Sequence, residues 1–393
     1  IYMNTFKTFF IGGYECADLI NNKGNRVDLL ADTAHDNRVE EDYSLLAQAG
    51  IKTVREGIRW SFVEKQPHHY DFTEVKNRLV AAQKAGIQQL WDICHFGYPD
   101  NLIPSHPQFV QRLAGVCKTF TELYRSCTND PLIITPVNEI SFLSWFSGDV
   151  RGTVPFAINS GFDVKYHLCK AAIAGIQAIR SVDPVAQIMM VEPLIRIHPR
   201  EDQLPCEPIA HFNEGQFEAM NIVTGRMCPE LGGKHEYMDI AGFNYYYNNQ
   251  WVHCGPTLDW RKTERRTCFS ELLIDASLRF QKPVVLSETG HFDEDRGKWI
   301  EQITDDCIIA MEKGVDLRGI CIYPVLDRPD WDIPEKYIPC GIWGYNSDGK
   351  RFVEEDYLAS VQLSHEKINR YLADRKDSKT MFLPLDGREY LVV

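Results

Sequence analysis

The sequence predicts an α/β protein, a single-domain (β/α)8 barrel spanning residues 1–393. Three observations carry that expectation. Short apolar runs alternate with segments of helical periodicity, and eight such pairs follow one another; strict alternation means parallel strands joined by helical crossovers. Two helix-to-strand junctions repeat one tripeptide, Ala49-Gly50-Ile51 and Ala85-Gly86-Ile87, with Gly where a helix stops. Two apolar runs far apart in the chain, Pro131–Glu139 and Pro283–Gly290, each carry a Glu at their carboxyl end. In a parallel barrel that end is the face where chemistry is built.

The elements follow in order. Phe9–Gly13 is a first short strand, and the polar stretch Asn21–Asp36 is an excursion before the first helix. Val39–Ala49 has apolar residues at helical spacing and ends at Gly50. Ile51–Trp60 is the second strand region, Glu74–Ala85 a helix closed by Gly86, and Ile87–His95 the third strand. A long helical segment, Pro107–Cys127, leads into Leu132–Glu139. Phe162–Ser181 is helical and Ala186–Glu192 is a fifth apolar run of strand length. After a proline-containing loop, Ile209–Thr224 has helical spacing, and Met238–Tyr246 is the sixth strand. The helix Phe269–Phe280 precedes the Glu288 strand, which is opened by Pro and closed by Gly. Arg296–Lys313, the strand Leu317–Tyr323 and the helix Glu354–Leu372 complete the pattern. Long loops follow most strands, so they gather on the carboxyl face. No linker or low-complexity segment marks a second domain.

Composition narrows the partners. Of the 393 residues 44% are apolar and 25% charged, which is ordinary for a globular protein, and no run of eighteen apolar residues predicts a membrane helix. The net charge of -13 argues against a nucleic-acid backbone as partner. The twelve cysteines are scattered singly, without CxxC pairs or zinc spacing. Free thiols of that kind, and an N-terminus without a basic segment and long apolar core, predict a cytoplasmic protein.

The strand ends carry the chemistry. Strand two offers Arg55 and Trp60; strand three His95; strand four Asn138 and Glu139; strand five Glu192. Strand six offers Asn244, Tyr245 and Tyr246; strand seven Glu288 and nearby His291; strand eight Tyr323, Asp327, Asp330 and Trp331. Aromatic rings stack on sugar C–H faces, while amides and carboxylates bind hydroxyls. Two Glu residues on separate strands are what double-displacement glycoside hydrolysis requires, one as nucleophile and one as acid/base. The structural alternative for each is a rim ion pair, and for His95 a satisfied core histidine.

In this order the strand ends resemble the large retaining clan of glycoside hydrolases, and within it family 1 β-glycosidases. Arg55 with Arg59-Trp60-Ser61 resembles the family's YRFSISWSR motif, and Cys94–Pro99 resembles HWDLP. Thr135-Pro136-Val137-Asn138-Glu139 resembles TFNEP, Gly242–Tyr246 resembles GINYY, Leu286–Gly290 resembles ITENG, and Val325–Trp331 resembles LLDNFEW. The resemblance implies a retaining β-glycosidase without cofactor or metal, acting on a small-molecule or oligosaccharide β-glycoside. Glu288 would be the nucleophile and Glu139 the acid/base, roughly 5–5.5 Å apart. Arg55 and Tyr246 would hold Glu288, Asn138 the sugar 2-OH, and His95, Asp330 and Trp331 further parts of the sugar. Ile140, Tyr323 and Asp330 depart from the family pattern, and the first-strand sugar clamp is not recognisable, with Glu15 or Asp18 as replacements. Three rivals follow from these residues. One is a degenerate carbohydrate-binding barrel, one a transglycosidase using the same two Glu residues, and one a metal-dependent barrel assembled from His95, Glu192 and Glu288.

Overall fold

The computed structural model describes residues 5–200 and 207–380. Eight parallel strands close into a barrel in which each strand pairs with its sequence neighbours, and the first pairs with the last. They are Phe10–Gly13, Thr53–Gly57, Gln88–Cys94, Ile133–Val137, Gln187–Pro193, Ile240–Asn244, Val284–Thr289 and Leu317–Ile322, called strands 1 to 8 below. Closure is made by Phe10 opposite Ile320 and Ile11 opposite Cys321. The predicted fold class is the observed one.

Alternate side chains explain how one strand serves two cores. One buried cluster, Ile11, Leu90, Ile133, Met189, Ile240, Val285 and Cys321 with Phe6, draws on seven of the strands and fills the barrel interior. The larger cluster, including Phe10, Trp91, Ile134, Met190, Ala241 and Leu286, packs the barrel against its helices. A strand side chain alternates faces with period two, so neighbours such as Leu90 and Trp91 fall into different cores. Gly13 allows a close approach at the carboxyl rim: a Cβ there would lie 2.2 Å from the Tyr323 ring.

Most helices match their sequence expectation within a few residues. The segment predicted as Val39–Ala49 begins earlier, at His35. The buried His35 ring bridges Asp42 at 2.7 Å and Glu56 at 3.0 Å. Glu56 also accepts from Arg78 at 2.6 Å and Tyr43 at 2.6 Å, while Arg351 grips Asp42 at 2.7 and 2.8 Å. A buried ionic network therefore ties this helix to strand 2, to the helix Thr73–Ala85 and to the short strand Arg351–Val353. The segment predicted as one helix, Ile209–Thr224, is two: Glu207–Gly215 and Glu218–Val223. Gln216 lies in the break, where its side chain accepts from Ile195 N at 2.8 Å and donates to Asn213 O at 2.6 Å. The last helix runs from Glu355 to Thr380, beyond the expected Leu372. A helix not anticipated, Ile140–Gly148, starts immediately after Glu139.

Candidate active site

The carboxyl ends of the strands open into a cavity of about 1060 Å³. Its floor carries Glu15, His95, Glu139, Tyr246, Glu288, Tyr323 and Arg328, and Trp331 stands on its wall.

Glu139 is placed by backbone. The amide of Asn138 donates to Cys94 O at 2.9 Å, and that of Glu139 to Val191 O at 3.0 Å, so the end of strand 4 stays anchored to both neighbours. Glu139 then takes a left-handed conformation, φ 44° and ψ 59°, and the helix Ile140–Gly148 begins. A non-glycine residue adopts that region at a cost that surrounding structure must offset. Its Oε1 accepts from Asn244 Nδ2 at 2.9 Å, and Asn244 is oriented by Ser287 Oγ donating to its Oδ1 at 2.7 Å. Burial first, and then the charge of Glu288, push the Glu139 carboxyl up to about 8; the Asn244 hydrogen bond opposes them.

Glu288 sits in the opposite environment. Its Oε1 accepts from Arg55 Nη1 at 2.6 Å and its Oε2 from the Tyr246 hydroxyl at 2.8 Å. Burial, followed by the Glu288 charge, holds Tyr246 well above the ordinary phenol range, so it remains a donor. Arg55 is fully enclosed and saturates its fork. It also donates to Ser287 O at 3.0 Å, to Asn138 Oδ1 at 2.7 Å and to Asp92 Oδ1 at 3.3 Å, and its Nη2 is paired with Asp92 Oδ2 at 2.6 Å. Because Oδ1 of Asn138 is engaged by Arg55, its Nδ2 is left as a buried donor without a partner among the described residues.

His95 belongs to a chain of polar groups across the floor. Its Nδ1 lies 2.9 Å from Asp92 Oδ2 and its Nε2 3.2 Å from the Tyr323 hydroxyl, which donates in turn to Glu15 Oε1 at 3.5 Å. Burial works against a charge on His95, but Cys16, Asp92 and Glu288 override it and raise its pKa well above the ordinary imidazole range. The Tyr323 ring stacks on His95 with centroids 5.7 Å apart. Tyr323 and Glu15 therefore stand together at the positions where the sequence leaves the family pattern. Asp18 is placed elsewhere, accepting from Ser61 N at 2.9 Å.

Asp330 and Trp331 separate. The Trp331 ring meets Phe96 edge-on at 5.5 Å and lines the cavity. The Asp330 carboxylate instead accepts from the amides of Asp332 at 2.9 Å and Ile333 at 3.2 Å, closing its own turn outside the cavity lining. Arg328, two residues before Asp330, also faces the cavity, with Nε 3.7 Å from Glu15 Oε2. Sequence reasoning passed over Arg328 because only its neighbours matched the motif. It also missed the apolar mouth, formed by Phe142, Trp145, Phe212 and Phe292 from three separate loop excursions.

The metal set His95, Glu192 and Glu288 does not come together as a ligand group. The one group of suitable side chains among the described residues is Cys16, Asp92 and His95. There Asp92 already neutralises Arg55 and accepts from His95, so its oxygens are committed. All described cysteines are unpaired, and no helix of the described residues is long and apolar enough to cross a membrane.

No protein-family model matches the sequence, and no curated protein matches it. Solved structures do. A β-glucosidase from Thermotoga maritima in complex with methoxycarbonyl-substituted glucoimidazole superposes with a TM-score of 0.72 at 15% identity, covering 92% of this chain and 99% of that one. The family 1 β-glucosidase of the same organism gives 0.71 at 15% identity, over 91% and 98% of the two chains. Its complex with deoxynojirimycin gives 0.70 at 16% identity, over 85% and 87%. At that identity the likeness is one of architecture: the chain has the fold of the family 1 β-glucosidases.

Proposed function

We propose that this protein is a retaining β-glycosidase. The observation that carries the reading is the contrast between two carboxyl groups on one cavity floor. Glu288 is clamped by Arg55 and Tyr246, while Glu139 is pushed up to about 8 by burial and by the charge of Glu288. Two titratable groups in opposed environments are the signature of paired acid and nucleophile roles.

Glu288 attacks the anomeric carbon as the bond to the leaving oxygen breaks, and Glu139 delivers its proton to that oxygen. The result is a covalent glycosyl ester on Glu288. Glu139, now a carboxylate, takes a proton from water, whose oxygen attacks the same carbon and releases Glu288. Two inversions give net retention. Asn138 Nδ2 serves the sugar 2-OH, His95 and Glu15 further hydroxyls, and Trp331 a ring face. The apolar mouth suits a flat or aliphatic aglycone. Asp330 is left out of sugar contact, because its carboxylate is engaged in its own turn. A small-molecule glycoside as partner, without nucleic acid, agrees with the net charge of -13. A cytoplasmic location is part of the same proposal, supported by the free thiols.

The test is release of nitrophenol from aryl β-glycosides by the wild-type protein, Glu288→Gln, Glu288→Gly and Glu139→Gln. The expected result is loss of at least about 10³-fold in kcat for Glu288→Gln and recovery of Glu288→Gly with azide, as an α-glycosyl azide. Full activity of Glu288→Gln would overturn the reading. Sugar binding with no turnover in the wild-type protein would establish a carbohydrate-binding barrel instead.

A further inference from the structure

Glu192 is the penultimate residue of strand 5, one residue beyond the carbonyl that holds the Glu139 amide. Among the described residues its side chain accepts from no Arg and no Asn. Its Oε2 accepts from the amide of Ser141 at 3.0 Å, in the first turn of the helix Ile140–Gly148. Its Oε1 is buried without a partner among the described residues, and the residue is fully enclosed. Glu139 is the N-cap of that helix, yet its side chain makes no cap bond. The cap comes from the neighbouring strand.

The consequence is mechanical. An N-cap side chain with a polar oxygen in reach can turn back onto the amides of the first turn, as Ser, Thr, Asp and Asn do. With the Ser141 amide satisfied by Glu192, the Glu139 carboxyl is released to face Asn244 and the cavity. We propose that Glu192 is a positioning residue that holds Glu139 in its working orientation and couples the proton on Glu139 to its own charge. This rests on the acid/base role given to Glu139 above.

The charges around the pair are few. Glu139 is faced by Glu288 from strand 7, Glu192 from strand 5 and His95 from the end of strand 3, with the Tyr246 hydroxyl nearby. Glu192 is faced by Lys165 and Cys169 on the helix Gly161–Val182, and Lys165 is itself paired to Glu218 at 2.6 Å. Burial pushes Glu192 up to about 7, against the Ser141 hydrogen bond and the Lys165 charge. Both carboxyls therefore change charge in the range where a glycosidase works, and each disfavours ionisation of the other.

The experiment compares the wild-type protein, Glu192→Gln and Glu192→Ala in two readouts. Gln keeps an acceptor for Ser141 but removes the charge. The basic limb of kcat/KM should move to lower pH in Glu192→Gln, by roughly half a unit or more. Glu192→Ala should lower kcat about tenfold or more through loss of orientation. The second readout is carbon-13 NMR titration of labelled Glu carboxyls, with the Glu139 resonance identified by its absence in Glu139→Gln. Its midpoint should fall in Glu192→Gln. An unmoved Glu139 midpoint in a folded Glu192→Gln protein overturns the coupling. A wild-type protein that turns over no glycoside removes the function proposed above, and the titration, which needs no substrate, still decides the coupling.

Discussion

Glu139 and Glu288 are the same residue type in one cavity, and their partners divide the labour. Glu139 has one hydrogen-bond donor, Asn244, and a buried site; Glu288 has a guanidinium and a phenol. In the proposed mechanism the proton on Glu139 is needed for departure of the aglycone, so kcat/KM should fall as pH rises through about 8. The cause of that value makes a second statement. After burial, the largest contribution is the charge of Glu288, and in the proposed mechanism this charge disappears when Glu288 becomes an ester. Trapping the intermediate with a 2-deoxy-2-fluoro glycoside should therefore lower the Glu139 midpoint, read by carboxyl NMR, and an unchanged midpoint would separate the two groups. Asn138 gives a different measurement. Arg55 fixes its amide with the Nδ2 donor free, so Asn138→Ala should lose about 10²–10³-fold in kcat/KM on glycosides bearing a 2-OH. On 2-deoxy glycosides the loss should be much smaller. Equal losses on both would give Asn138 a purely structural role.

At the level of elements, the strand ends were legible because an apolar run of strand length stops at a polar residue, and a closed parallel barrel sends all such stops to one face. That placed Arg55, His95, Asn138, Glu139, Tyr246 and Glu288 around one floor. The excursions were not legible. The helix Ile140–Gly148 buries Ser144 and Ser147 and exposes Trp145, the reverse of an ordinary amphipathic pattern, and its cap lies about fifty residues away on another strand. Asp330 was misplaced for a similar reason: a turn formed by Asp332 and Ile333 claims its carboxylate, and a motif cannot show which way a loop side chain turns. The buried network of His35, Asp42, Glu56, Arg78 and Arg351 also escaped, since its members lie on four elements. It makes its own prediction. Glu56 is the hub, held down to about 2 against burial by His35 and Arg78. Glu56→Ala should destabilise the fold by about 3–5 kcal/mol in urea at neutral pH. The folded value is depressed, so the stabilisation is fully present above the unfolded value of about 4.3 and is lost as pH falls through about 2. The gap between variant and wild type should narrow over that window. His35 acts with the opposite sign: its raised pKa contributes stability below about 6.5 that fades as pH rises through the folded value.

For the molecule as a whole, closure governs both stability and site. The first and last strands pair, so the sheet has no edge, and separating any one pair of neighbouring strands would create two. The interior cluster takes Ile11, Leu90, Ile133, Met189, Ile240, Val285 and Cys321 from seven strands, and none of these residues has a second core to join. The helix Glu355–Thr380 then packs against Asp295–Glu312 and, through His365, against Phe10 of the first strand. The polar floor stands directly on this plug: Arg55 reaches Ser287, Glu288, Asn138 and Asp92 only while strands 2, 3, 4 and 7 keep their spacing. One cooperative unit is the expectation, with the site lost when the barrel opens. Unfolding in urea followed by circular dichroism and by tryptophan fluorescence should give a single coincident transition. Leu90→Ala, which empties the middle of the plug, should shift both probes together by about 2–5 kcal/mol. Turnover should be lost over the same denaturant range in each protein. Two separated transitions, or a Leu90→Ala shift confined to one probe, would divide the chain into independently folding parts and detach the polar floor from the barrel core.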